Sequence, residues 1–525
     1  MTVWLRPVLT GALLLGAAAP VAHAVPALPA GAASPPAAGA AAAVDAEEVE
    51  AWVRERTEAA GVPGAAWAVV GPDDVEVEGV LGEDGAGDPV TPATPFWWGS
   101  VAKPLTSTVL VTLAADGAVD LDAPVVAYLP DFRMQDEAAS DTVTVRQLMS
   151  STGGVPPAYD LTDAYDAGRR PADVLPELAG REAAAEPGER HVYSSVGYLV
   201  LTALVEEVTG QSYAEVVAER VLEPAGMTDA VTTAEAAEAV PPGHRYVAGR
   251  AVPFTTGFDP AGAGYGYVGG DLGDAVAFAR LQLSGSPVLS PEQRDDMVRG
   301  DVDQGEGRTY GLGWRQWDVP GGDGERMVWV SGASPGYFAS VVVLPDLDRA
   351  IVVLQNAYGS FQEPALLTTA WGLAALFEGG EPQRAGTDPT YVVLLAVLGG
   401  LALALLALVA RGAWVLARPG SRARRATRRR VAVTTGLALV ALAALAAAYL
   451  ALPGIFGVEL GQLVLWAPDL AWLVQGGLGL TGLLALVRVG VAARLLRAGD
   501  DDGTARDAGR PRDHGVPGPS PSRAR

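Results

Sequence analysis

The stretch Phe96-Trp97-Trp98-Gly99-Ser100-Val101-Ala102-Lys103-Pro104-Leu105-Thr106 decides how this 525-residue chain is read. Of its 37 Lys and Arg residues, 36 are Arg, and Lys103 is the single lysine. A guanidinium stays protonated, whereas a buried amine gives up its proton readily, so this one position suits proton transfer. Ser100 stands three residues earlier. A helix beginning at or near Ser100 brings positions i and i+3 onto one face and lets the amine approach the hydroxyl. Pro104 fits only near such a start, where the first amides lack intrahelical partners. The same terminus favours developing negative charge. The expectation is a serine nucleophile, an amine base and a field that stabilises an oxyanion.

Working outward, two distant segments fit around this one. Pro187-Gly188-Glu189-Arg190-His191-Val192-Tyr193-Ser194-Ser195-Val196-Gly197-Tyr198 precedes an apolar helical run, which puts Tyr193 on a loop able to face the nucleophile. Val328-Trp329-Val330-Ser331-Gly332-Ala333 ends a strand in small residues, as needed where backbone approaches a substrate. β-rich runs at 65–70, 75–81, 327–330, 339–344 and 350–354 enclose helix-compatible runs at 109–115, 198–209, 214–222 and 272–283. Strands at both ends with helices between predict an α/β (α+β) domain, a mostly antiparallel sheet with a helical lobe.

On these motifs the chain resembles the serine β-lactamase-like hydrolases: class C β-lactamases, D,D-carboxypeptidases, D-aminopeptidases and related esterases. The resemblance covers residues 45–375 and includes Leu148-Met149-Ser150-Ser151-Thr152-Gly153-Gly154, Glu223-Pro224-Ala225-Gly226-Met227 and Tyr310-Gly311-Leu312-Gly313-Trp314. It implies an antiparallel sheet with helices on both faces plus a helical lobe. It implies an acyl-enzyme on Ser100, with Lys103 either accepting the Ser100 proton or keeping Tyr193 ionised. Tyr193 would relay a proton to the leaving group and help to activate the deacylating water. The amides of Ser100 and Ala333 would form the oxyanion hole, with Ser195, Ser331 and Gly332 lining the substrate. A small-molecule or peptide substrate is implied, with no metal and no organic cofactor.

Two departures modify this. The family usually has Tyr-x-Asn where this chain has Tyr193-Ser194-Ser195, and a Lys or His where it has Val330. Serine cannot present an amide donor and a carbonyl together, and valine cannot hold a carboxylate or support the tyrosine. The reading therefore points away from β-lactams and from substrates anchored by a free carboxylate, toward an ester or less charged amide. Arg315 and Arg326 are the candidate compensating cations.

Charge and hydropathy place the rest. The chain has a net charge of −24 and 49% hydrophobic residues, with no Cys. Such acidity argues against nucleic-acid binding, and the missing Cys excludes disulfides and thiol nucleophiles. Residues 1–24 read as a signal peptide, with Arg6, an apolar core and Ala22-His23-Ala24. Residues 25–43 form an Ala/Pro-rich linker to a domain over 44–380. Apolar runs at 391–410, 431–452 and 470–487 predict three transmembrane helices. The link 411–430 is Arg-rich and free of acids, and Arg488, Arg494 and Arg497 follow the third run. By the positive-inside rule this link and the 488–525 tail, read as disordered, are cytoplasmic and residues 44–380 extracytoplasmic. Residues 391–525 carry 16 Arg and 7 acids, which leaves a net −33 on the preceding part.

Gly332-Ala333-Ser334-Pro335-Gly336 imitates a nucleophile elbow, but that motif needs a following helix and a later His, and strand follows here. His191 and His244 are too few for a histidine zinc site, and His191 reads as a packing or loop residue. Trp97 and Trp98 read as core aromatics. Taken together, these features predict a membrane-anchored extracytoplasmic serine hydrolase cleaving an amide or ester. Its rival is a catalytically silent domain used for ligand binding or membrane-complex assembly, which Val330 and Ser195 favour and the sole lysine opposes. Transport is disfavoured because no charge lies within the spans. Oligomeric state is left open.

Overall fold

The computed structural model describes residues 44–508, apart from 164, 166–167, 301, 323, 419–427 and 456–459, together with residue 518. The expected signal peptide (1–24), linker (25–43), the middle of the Arg-rich link and the end of the tail lie outside the described residues. The described residues fall into two compact units. One takes in the chain through Val393 plus the segment ending at Asp469, and the other comprises the remaining C-terminal helices.

The first unit is built on an eight-stranded antiparallel sheet: β1 (Gly64–Val70), β2 (Val75–Gly82), β3 (Val302–Gly305), β4 (Arg308–Tyr310), β5 (Arg315–Asp318), β6 (Arg326–Ser334), β7 (Tyr337–Leu344) and β8 (Arg349–Gln355), in the order β2-β1-β8-β7-β6-β5-β4-β3. β1 inserts beside β8 in the register Ala65↔Gln355 to Val70↔Ala350, so the two ends of the domain close one sheet. β1, β7 and most of β8 are buried on both faces, which is why they read as continuous apolar runs rather than alternating ones.

Five helices matter for the site: α1 (Ala46–Ala60), α2 (Ala102–Ala115), α3 (Ser195–Thr209), α4 (Leu272–Arg280) and α5 (Glu363–Phe377). α1 and α5 cover one face, packing Val49, Trp52, Leu366 and Leu373 with Trp67, Trp329 and Val342. Trp52 Nε1 donates to the Thr369 carbonyl at 3.0 Å and locks the pair. The other face carries α4 and the helical lobe of α2 and α3, whose core continues into Val328, Val330 and Val341. α3 starts where the Ser194 side chain caps the Gly197 amide and stops at Gly210, in the left-handed region. The expected helix over 214–222 instead becomes Tyr213–Val217 followed by a π-helical turn over Ala218–Leu222. The wider turn suits a chain about to meet Pro224, whose ring would crowd a regular preceding turn.

Three further helices, α6 (Pro389–Ala417), α7 (Arg428–Ile455) and α8 (Pro468–Ala508), contain the three apolar runs, and all are long and apolar enough to cross a membrane. Gly476-Gly477 does not interrupt α8. A Cβ at Gly477 would lie 2.4 Å from the Tyr449 hydroxyl, so the glycine allows close packing against α7. α8 also runs on to Ala508, correcting the expectation of disorder from 488, because Val491–Arg497 is rich in Ala, Leu and Arg, which favour helix.

Within the first unit, the segment before α8 folds back onto the sheet domain. The Trp466 ring meets Tyr358 edge-on at 5.3 Å, and Ser360 N donates to the Trp466 carbonyl at 3.2 Å. The Asp469 carboxylate accepts from Ala248 N at 2.7 Å and from the Tyr391 hydroxyl at 2.5 Å.

Candidate active site

Ser100 lies in a single 3₁₀ turn, Gly99–Val101, that leads straight into α2. Gly99 takes φ +55°, a conformation that favours glycine, and so bends the extended Phe96-Trp97 segment into the helix. The expected helix start near Ser100 is therefore present, with Pro104 in its first turn. Ser100 is half-buried at the surface of the lobe, while Lys103 is 1% exposed. Lys103 Nζ donates to Ser100 Oγ at 3.0 Å and to the Tyr265 carbonyl at 2.9 Å. Among the described residues no carboxylate forms an ion pair with it. Burial drives the Lys103 amine below its ordinary range, with Arg315 adding to the effect and Tyr193 and Asp163 opposing it.

Tyr193 is held on its loop by the 148–154 segment. Val192 N donates to the Ser151 carbonyl at 2.7 Å and Gly188 N to the Thr152 carbonyl at 2.8 Å. Gly154, at φ +71°, lets the two segments touch, since a Cβ there would lie 2.1 Å from the Ala185 carbonyl. Lys103 Nζ stands 4.9 Å from the centre of the Tyr193 ring. Burial pushes the Tyr193 phenol up, but the Lys103 and Arg315 charges and hydrogen bonding toward Ser100 and Lys103 outweigh it and bring it below its ordinary value. Ser100, Lys103 and Tyr193 thus form one cluster, as the motifs require.

β6 brings up the other wall. A Cβ at Gly332 would lie 1.7 Å from the Trp98 carbonyl oxygen and 2.6 Å from Ser100 N, and one at Gly99 would lie 2.6 Å from Ala333 N. The end of β6 therefore lies against the nucleophile turn, with Ser100 N close to Gly332 and Ala333 N close to Gly99. Only two glycines facing each other permit this approach. The β5 partner of β6 ends opposite Trp329, so Ser331 and Ala333, both half-buried, stand on an edge without a strand beside it. Ser195 is the first residue of α3, and its hydroxyl makes no hydrogen bond among the described residues.

A family model described as Beta-lactamase matches residues 49–376. The chain belongs to the beta-lactamase family. Penicillin-binding protein 4 of Amycolatopsis lactamdurans is 33% identical over 319 residues, 56% of this chain and 81% of that protein. The octameric penicillin-binding protein homologue from Pyrococcus abyssi superposes with a TM-score of 0.57 at 24% identity, covering 68% of this chain and 82% of that one. D-alanine carboxypeptidase AmpC from Burkholderia cenocepacia gives 0.52 at 19% identity, covering 62% and 98%. The last two show the fold.

Against this family background the departures have a clear structural form. Val330 is 2% exposed and packed in the core, so the usual cation is absent from that position of β6. Arg315 on the adjacent β5 stands 5.4 Å from the Tyr193 ring centre, whereas Arg326 is engaged with the Gly307 and Gln316 carbonyls and Asp318. Of the two candidate cations only Arg315 reaches the site. Trp97 and Trp98 are 2% and 1% exposed and serve the core. Ser334 is buried before the Pro335-Gly336 turn of the β6–β7 hairpin, so the elbow-like motif is not an elbow. His191 packs on Tyr310 at 4.6 Å and its ring is held neutral by burial, helped by Arg315, its pKa lowered to about 4.

The carbonyl of Tyr265 as a lysine acceptor was missed by side-chain reasoning. Gly264 lets its loop drop between α2 and α3, because a Cβ there would lie 2.0 Å from Thr202 Oγ1. The Tyr265 hydroxyl donates to Asp259 at 2.8 Å and accepts from Asp163 N at 2.8 Å, which fixes the loop. The Gly264-Tyr265-Gly266-Tyr267 alternation was the available signal. Among the described residues no group of three or more His, Asp or Glu is placed to hold a metal ion.

Proposed function

We propose that this protein is a membrane-anchored extracytoplasmic serine hydrolase that cleaves an amide or ester bond through an acyl-enzyme on Ser100. The observation that carries the reading is the buried Lys103 amine, 3.0 Å from Ser100 Oγ and free of any carboxylate ion pair among the described residues. Burial favours the neutral amine, and a neutral amine at that distance accepts the hydroxyl proton as Oγ attacks the substrate carbonyl. Tyr193, with its phenol made more acidic by Arg315 and by Lys103 once that amine has taken up the Ser100 proton, passes a proton to the leaving group and later takes one from the deacylating water. The amides of Ser100 and Ala333 receive the developing oxyanion. Substrate lies along the free edge of β6 at Ser331-Gly332, with Ser195 across the cleft.

The multi-pass topology rests on two arguments. The Arg-rich link 411–430 lies between the first two spans, which assigns it to the cytoplasm. Two crossings return the segment between the second and third spans to the side of the catalytic domain, in keeping with the contacts of Asp469 to Ala248 and of Trp466 to Tyr358. A substrate of the small-molecule or peptide class follows from the kinds of protein this chain is similar to. A silent binding domain would have no use for a buried amine without a counterion, and such an amine costs stability.

The test is covalent labelling of the full-length protein in detergent by a fluorophosphonate, read by intact mass. One adduct, absent in Ser100→Ala, is expected. A folded wild-type protein that takes up no acylating or phosphonylating probe would overturn the reading.

A further inference from the structure

We propose that the hairpin of strands Gly243–Val247 and Arg250–Phe254 is a membrane-docking surface whose outer face binds anionic phospholipid headgroups. The proposal rests on the membrane spans and not on the serine-hydrolase reading.

Three observations carry it. First, the hairpin is tied to the starts of two spans. Ala248 and Gly249, at φ +50° and +75°, form its two-residue turn. Ala248 N donates to the Asp469 carboxylate at 2.7 Å, and Gly249 N to the Tyr391 hydroxyl at 2.9 Å. Tyr391 lies in the first turn of α6 and Asp469 is the second residue of α8, both helices long and apolar enough to cross a membrane. The apolar runs of these helices begin at 391 and 470. A turn bonded to both places stands at the level of the bilayer surface. Tyr391, stacked on Phe361 at 5.5 Å, and Trp466, edge-on to Tyr358, are ring types that gather at that level.

Second, the outer face has the composition of a headgroup contact. The register is Gly243↔Phe254, Arg245↔Val252 and Val247↔Arg250, and opposed residues share a face. One face turns the buried His244 and Tyr246 toward the domain, where the Tyr246 hydroxyl donates to the Ala60 carbonyl at 2.8 Å. The other carries Arg245, Val247, Arg250, Val252 and Phe254, none of them buried, with Arg250 and Val252 exposed. The Arg245 guanidinium lies 4.6 Å from the centre of the Phe254 ring, and among the described residues Arg250 forms no ion pair. No Asp or Glu occurs between Glu238 and Asp259, although the chain before residue 391 carries a net −33. Guanidinium groups meet phosphate, and the apolar side chains between them meet the acyl boundary.

Third, the hairpin is poorly suited to recruiting another protein strand. Arg250–Phe254 is an edge strand, and Pro253 within it has no N–H to donate. What the hairpin offers is therefore its face.

The chain has no Cys, so Val252→Cys carries a single NBD fluorophore. The control is Asp346→Cys, exposed on the turn beyond Leu344. The other end of β7 follows Gly336, whose carbonyl accepts from His244 N at 3.1 Å, so the length of β7, about 25 Å, separates the control from the hairpin. Full-length protein, one copy per nanodisc, is compared in phosphatidylcholine with and without phosphatidylglycerol, with a headgroup-nitroxide lipid as quencher. Emission is expected to be lost at 252 and kept at 346, and the loss to be greater in the anionic discs. Arg250→Gln is expected to lower the ratio of docked to undocked label about fivefold, the weight of one basic residue at an anionic surface. Kept emission at 252, equal loss at 346, equal loss in neutral and anionic discs, or an unchanged ratio in Arg250→Gln overturns the proposal. A change at 252 that follows the number of copies per disc and not the lipid assigns the face to a second copy and likewise overturns it. Fluorophosphonate labelling of Ser100 on the same samples decides the hydrolase reading separately.

Discussion

Gly332 passes so close to the nucleophile turn that a Cβ on it would lie 1.7 Å from the Trp98 carbonyl oxygen. That single approach sets Ser100 N beside the end of β6 and makes the cleft wall. Both contacting groups are backbone in buried elements, so neither yields cheaply. Gly332→Ala is expected to slow Ser100 labelling by about a hundredfold or more, because positioning errors on the ångström scale have that effect. Rapid-quench mass spectrometry checks this. Labelling at the wild-type rate would show that the wall is not needed.

Lys103→Arg keeps a positive charge but removes the group able to become neutral. Labelling of Ser100 is expected to fall by about 10²–10⁴-fold, the usual contribution of a general base. Lys103→Met, which also lacks the charge, is expected to be no more active. Retained activity in the arginine variant would assign the cation a purely electrostatic part.

Lys103 and Tyr193 are both shifted below their ordinary ranges, so acylation is expected to rise with pH at an apparent pKa below that of free lysine or tyrosine. The value belongs to the pair rather than to one residue. Tyr193→Phe is expected to lower the rate and to move this inflection, measured with a neutral ester. An inflection left in place would remove Tyr193 from the titrating unit.

His191 gives a stability test whose sign is fixed. Its folded pKa, lowered to about 4 by burial and by Arg315, lies below the ordinary 6.5, so the unfolded chain takes up the proton first as pH falls. Stability conferred by the neutral ring is complete above pH 6.5 and is lost progressively down to about 4. A shift of this size corresponds to about 3 kcal/mol. Denaturation of His191→Gln at pH 7 and pH 4.5 should show a smaller difference than the wild type. Asp274, raised to about 6 by burial, acts in the opposite direction in both proteins and cancels in the comparison.

The turn at Ala248-Gly249 is held by residues at the starts of α6 and α8. Asp469 accepts from Ala248 N and from the Tyr391 hydroxyl, while that hydroxyl accepts from Gly249 N at 2.9 Å. Asp469→Asn is expected to increase protease cleavage at 248–249 severalfold without loss of the sheet domain's fold, seen by limited proteolysis of the full chain. Equal cleavage rates would show that the carboxylate does not restrain the turn.

The local rules carried a long way here. The single lysine, its spacing from Ser100, the loop before Tyr193 and the small residues after Val330 are all readable in the chain, because spacing on a helix and composition at a strand end are one-dimensional facts. Apolar runs and arginine placement likewise marked three helices, although helix-forming residues carried the last one farther than its hydropathy suggested. Tertiary structure settled what depends on contacts between distant segments. It brought Gly332 against Trp98, delivered the Tyr265 carbonyl to Lys103, and chose Arg315 over Arg326 as the cation at the site. Two arginines look alike in sequence; only the register of β5 against β6 leaves one without a counterion beside Tyr193, because the fold spends the other on its own carbonyls and Asp318.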